Sequence, residues 1–213
     1  MFDFIRTNLV GEPVPDTDAY EMEEGFGVTR RSGLLHSTRV ATAMGWREAE
    51  ALAVGDEVLT FDNGLQPITA IERVINWPDH KTCPEHAAPF EVPAGVLGNK
   101  ERIWMLPNQL VVVESDMAEA LTGDPFALVP VSVLAGWRGI VRVSPRAPHL
   151  VVVLRFENDE VIYAGDGALL LAQSEGSIFD HVFGEAEYAV LDDRHIELVA
   201  DDLRAQEAAA LAA

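Results

Sequence analysis

Cysteine occurs once in this chain, at Cys83, so no intrachain disulfide can staple the fold and an oxidising compartment is neither required nor excluded. Bases are scarce. Fifteen Lys and Arg face 35 Asp and Glu, for a formal net charge of -20. Such a surface repels phosphate backbones, and Arg30-Arg31 is the only adjacent basic pair, so nucleic acid is not an expected partner. No apolar run reaches the roughly 20 residues of a spanning helix, so no membrane span is expected. The start, Met1-Phe2-Asp3-Phe4-Ile5-Arg6, has an early acid and no apolar core, unlike a secretory signal. Cytoplasmic residence is the default reading, with signal-less export left open. No Gly-x-x-x-x-Gly-Lys, His-Glu-x-x-His or Gly-x-Ser-x-Gly occurs, and no cofactor is expected.

What is present is a chain of 213 residues, 48% apolar, enough for one sizeable core. Residues 1–32 carry no clear period, hold Pro13-Val14-Pro15 and Glu21-Met22-Glu23-Glu24, and read as an acidic, irregular arm. From residue 33 to about 171 short apolar runs alternate with turns, which predicts an all-β body. Leu110–Val113 reads as a buried strand. Leu150–Phe156 and Val161–Ala164 read as a strand pair joined by a hairpin turn at Glu157-Asn158-Asp159-Glu160. Ser115–Leu121 reads as a brief helix capped by Ser115 and ended by Gly123. Residues 172–213 form an acidic tail, with a helix predicted over Asp201–Leu211 and only a thin apolar face.

The most specific stretch is Thr38-Arg39-Val40-Ala41-Thr42, then Gly45-Trp46-Arg47, then Gly55-Asp56-Glu57-Val58 and Asp62-Asn63-Gly64. It reads as a strand, a short link, a Gly-Asp turn, a second strand and a tight Asn-Gly turn into a third. This succession resembles the opening of a Hint domain, the fold shared by inteins and hedgehog autoprocessing domains, and is most similar to bacterial Hint proteins. The resemblance spans about residues 33–171. It implies a horseshoe of short strands, here with an irregular N-terminal arm and a partly helical C-terminal tail.

The resemblance also implies a self-processing reaction. A Cys or Ser opening the domain attacks the preceding peptide bond. A Thr-x-x-His or Ser-Pro-x-His element polarises that bond and protonates the leaving amine, and a second His or Asp on a later strand assists. An amide is a poor electrophile, so these groups must converge on one carbonyl. In this chain the nucleophile position falls on Gly33, five residues before Thr38. The Ser-Pro-x-His element falls on Leu106-Pro107-Asn108-Gln109, so Leu106 stands for the hydroxyl and Gln109 for the imidazole. Asp159 occupies the late His position. Glycine cannot attack, and an amide donates no proton at neutral pH. The leading expectation is therefore a catalytically degenerate Hint protein serving as a scaffold or interaction module for an unidentified protein or peptide partner. A register shifted by one residue makes Ser32 the nucleophile, with His36 nearby as base. Ser37 is a second fallback, and either serine would carry N-terminal cleavage by acyl shift.

A third reading is metal binding. His80, Cys83 and His86 are compactly spaced imidazole and thiolate ligands of a type that suits zinc. No fourth ligand follows in sequence beyond Asp79 or Glu85, and the plainer reading is a solvated loop.

Overall fold

The computed structural model describes residues 33–76, 83–174 and 191–212. Fourteen strands and two α-helices lie in these segments. The first half holds β1 (Leu34–Leu35), β2 (Arg39–Thr42), β3 (Gly45–Glu48), β4 (Glu57–Leu59), β5 (Leu65–Pro67) and β6 (Ala70–Asn76). It continues with β7 (Phe90–Val92), β8 (Ile103–Met105), β9 (Leu110–Glu114), α1 (Asp116–Thr122) and β10 (Phe126–Pro130). The last elements are β11 (Val141–Arg142), β12 (His149–Arg155), β13 (Glu160–Ala164), β14 (Ala168–Ala172) and α2 (Asp193–Ala212). The architecture is the all-β, Hint-type horseshoe with a helical C-terminal tail that the resemblance implies.

The strands form three sheets: β1-β12-β6, β11-β7-β8, and a larger one ordered β10-β9-β14-β13-β2-β4-β5 with β3 against β2. The large sheet curls. Beyond β4, Thr60 bridges Ile162 of β13, and the Phe61 amide donates to the Val161 carbonyl. From there to β10 a flat sheet would span about 19 Å, at about 4.8 Å per strand. Yet the rings of Phe61 and Phe126, the first residue of β10, have centroids 6.2 Å apart.

The continuous apolar runs are explained by burial on both faces. In β12, Val152 and Leu154 enter the main core while Val151 and Val153 join Leu35 and Leu106 in a small satellite cluster. In the large sheet, Val111, Ile162 and Leu170 face the main core, and Leu110, Leu128, Val161 and Leu171 form a third cluster on the opposite face. Side chains alternate along each strand, so one run feeds two cores.

Three expectations change on the structure. Glu157–Glu160 does not join a hairpin. Strand β12 pairs with β6 and β1, whereas β13 pairs with β14 and β2, so the turn carries the chain from one sheet to another. The link after β2 is itself a strand: β3 folds back on β2 with Arg39 opposite Glu48. The last helix begins at Asp193, not Asp201, and its face is not thin. Ile196, Val199, Ala200 and Leu203 recur at helical spacing and are buried, three of them in the main core. The Asp192 carboxylate accepts the His195 amide at 2.8 Å and starts the helix.

The α1 expectation holds. The Ser115 hydroxyl accepts the amides of Met117 and Ala118, and Gly123 closes the helix at φ +83°. Ser115 Oγ also donates to Asp202 Oδ2 on α2 at 2.8 Å. Among the described residues no helix is long and apolar enough to cross a membrane.

Candidate functional site

Gly33 enters just ahead of β1, and that strand pairs with the centre of β12, placing Leu34 opposite Val152 and Leu35 opposite Val151. A small crevice of about 10 Å³, room for little more than a water molecule and partly open to solvent, lies here. Its lining includes Gly33, Leu34, Gln109, Val153, Leu171 and Ala172. Two expected positions, Gly33 and Gln109, thus come from opposite ends of the fold to one cleft.

The cleft has no room for a side chain at position 33. A Cβ built there would lie 2.7 Å from Val151 Cγ1, 3.1 Å from Val153 Cγ2 and 3.3 Å from the Val152 carbonyl oxygen. Valine is stiff at χ1, so its methyl cannot swing away freely. The space beside the Gly33 Cα is filled from the neighbouring strand.

Gln109 is 2% exposed. The turn before it closes by its own amide donating to the Leu106 carbonyl at 3.0 Å. Its side-chain nitrogen donates to the carbonyls of Leu110 at 3.1 Å and Leu171 at 3.0 Å. Both amide hydrogens therefore tie β9 to β14, and neither is left to polarise a carbonyl in the cleft. A buried amide so engaged stabilises by satisfying two strand carbonyls rather than by reacting.

Leu106 points into the satellite cluster with Leu35, Val151 and Val153, the same valines that crowd Gly33. Asp159 does not line the cleft. It is buried, and its Oδ1 accepts the Ser174 amide at 2.7 Å, two residues beyond the cleft-lining Ala172. Arg155 reinforces that segment by donating to the carbonyls of Gln173 at 3.0 Å and Ser174 at 3.4 Å. Where the late imidazole is expected, a carboxylate and a guanidinium hold the departing backbone.

Of the fallback nucleophiles, Ser32 lies outside the described residues. Ser37 is exposed in the tight turn closed by the Thr38 amide on the Leu35 carbonyl, and it does not line the crevice. His36 beside it keeps its own amide on the Leu150 carbonyl, while its Nδ1 is buried with no partner among the described residues.

The metal reading is divided by the same boundary. His80 lies outside the described residues, whereas Cys83 and His86 lie within them. His86 is exposed. Burial pushes the Cys83 thiol up, an effect only partly offset by Arg142. Among the described residues no three His, Cys, Asp or Glu gather into a potential metal cluster.

Sequence reasoning missed Val152, Val153, Leu171 and Ala172 as parts of the cleft. Each sits inside an apolar run, and only the pairing of β1 with β12 and β9 with β14 reveals which of their neighbours face the crevice.

Among solved structures, the bacterial intein-like domain from Clostridium thermocellum is 12% identical, with 68% of this chain and 100% of that one covered at a TM-score of 0.49. The gp41-1 intein is 13% identical over 68% and 100%, at 0.42. The Msm DnaB1 intein splicing domain bound with zinc is 16% identical over 66% and 99%, at 0.40. No curated protein matches. A family model described as the Hint domain matches residues 32–170, most of the chain, and the chain therefore belongs to the Hint domain family.

Proposed function

We propose that this is a Hint-domain protein that no longer cuts itself and serves as a scaffold or interaction module. The observation that carries the reading is the crowding at Gly33, where Val151 Cγ1 would stand 2.7 Å from any Cβ. A nucleophile is not merely missing; its space is occupied. The engagement of both Gln109 amide hydrogens supports the same reading, because they are then not free to meet a developing oxyanion. With glycine at position 33 and an engaged amide at position 109, positioning alone gives no acyl shift at Gly33.

The test is the intact mass of the freshly purified full-length chain, followed during incubation with hydroxylamine or a thiol. An unchanged mass is the expected result. Release of residues 1–31 would place the cut at Ser32 and overturn the proposal. One observation favours a second reading: exposed Ser37 adjoins His36, whose Nδ1 has no partner among the described residues. Release of residues 1–36 in the same measurement would establish it.

A further inference from the structure

A second surface, built from residues that do not line the Gly33 crevice, does not depend on whether that crevice reacts. Phe61 and Phe126 are 45% and 48% exposed, yet their rings meet edge to face at 6.2 Å. Phe61 also meets Tyr163 at 6.3 Å. Leu59 and Leu65, paired across β4 and β5, add 39% and 44% exposed side chains. By strand alternation, Phe126 shares a face with Leu128, and Tyr163 with Val161. The aromatic patch is thus the solvent-facing continuation of the third apolar cluster, in the curl of the large sheet.

The electrostatic setting is one-sided. Residues 57–69, 110–130 and 157–172 supply the patch and its supporting strands. They contain ten carboxylates and no lysine or arginine; Asp159 and Glu160 are buried and Asp166 pairs with Arg39 of the intervening β2 at 3.0 Å, which leaves seven of the ten carboxylates for the field. Glu114 stands directly opposite Phe126 in register. Asp124 accepts the Phe126 amide at 2.9 Å, and Asp62 follows Phe61 in sequence. Exposed aromatic faces within a field of carboxylates attract cations twice, through charge and through the ring quadrupole.

We propose that this face docks a basic, amphipathic polypeptide segment of a partner protein, with apolar side chains on Phe61, Phe126 and Tyr163 and Lys or Arg toward the surrounding carboxylates. Charge argues against the other occupants. Two copies of the chain would each bring a net charge of -20. Of this chain's own segments, residues 1–32 hold seven carboxylates against three arginines, and 175–190 hold four against none. A partner of opposite sign gains affinity and association rate from the same field.

The experiment uses the full chain and two labelled 18-residue peptides, one amphipathic in Leu and Lys and its counterpart in Leu and Glu. Saturable one-to-one binding of the Lys peptide, weakened by added salt, is expected, with none for the Glu peptide. Phe61→Ser with Phe126→Ser should weaken binding at least tenfold. Because that pair also alters packing, Glu114→Gln with Asp124→Asn provides an independent arm; it keeps the rings and the acceptor for the Phe126 amide and should weaken binding severalfold. Equal binding by all variants would reduce the attraction to bulk charge and overturn the proposal. So would absence of saturable binding, or self-association that the Phe61→Ser, Phe126→Ser variant abolishes.

Discussion

Gly33 in the crevice and Gly55 in the turn before β4 are both glycines, for opposite reasons. At Gly33 the backbone is outside the left-handed region, but a Cβ would strike Val151, Val153 and the Val152 carbonyl. At Gly55 the surroundings are open, with nothing within 4 Å of a Cβ, but φ is +90°. Space enforces the first glycine and backbone handedness the second. A constraint of space is released by trimming a neighbour. A constraint of handedness is released only by a residue that tolerates that conformation.

The largest expected effect tests whether the turn region depends on the core beneath it. Leu52, 2% exposed and three residues before Gly55, belongs to the main core. Leu52→Ala should cost about 2–5 kcal/mol by thermal or urea unfolding. A loss below ~1 kcal/mol would mean that the turn stands without the core. Next, Gly33→Cys should cost about 1–3 kcal/mol from overpacking and restore no self-cleavage by intact mass. Adding Val151→Ala should recover part of that cost, with a coupling of about 0.5–3 kcal/mol in a double-mutant cycle. Additive losses would refute crowding as the cause. Gly55→Ala should cost about 1–2 kcal/mol, and Gly55→Asn less, since Asn tolerates the left-handed region. If Asn is no better than Ala in chemical denaturation, handedness is not the constraint.

The smallest effect is a pH slope near the crevice. Burial first, and the neighbouring His36 second, hold the His149 imidazole below its ordinary 6.5. The unfolded chain takes up this proton first. Stability is therefore full above pH 6.5 and falls as the pH drops below it, until the folded imidazole titrates as well. His149→Gln should flatten that slope and leave the melting temperature at pH 8 nearly unchanged. An identical slope in the variant would assign the dependence elsewhere.

Much of the fold was legible because local chemistry writes local structure. Ser115 and Gly123 bracket α1 since a hydroxyl caps amides and glycine accepts positive φ. Pairing between distant strands is different. Leu150–Phe156 and Val161–Ala164, joined by four polar residues, carry every local mark of a hairpin, yet β12 draws its partners from β1 and β6. No residue in the turn records that choice; it is made by burial of Val151 and Val153 against Leu35 and Leu106. Asp201-Asp202 imitates a helix start, and the true one at Asp193 shows only in the spacing of Ile196, Val199 and Leu203. Gly33 and Gln109 are legible in the sequence as residues that can neither attack nor donate a proton at neutral pH. That a valine fills one space, and two strand carbonyls engage the other, is information carried by neighbours.

The bond between Ser115 and Asp202 has a consequence for biosynthesis. Strand β9 and helix α1 emerge from the ribosome some 80 residues before their partner on α2. Until Ile196, Val199 and Leu203 follow, the nascent chain leaves one side of its main core uncovered, a state prone to aggregation. The late helix therefore acts as a closing step in maturation, and a translational pause ahead of it should lengthen the interval in which chaperones engage the unfinished domain.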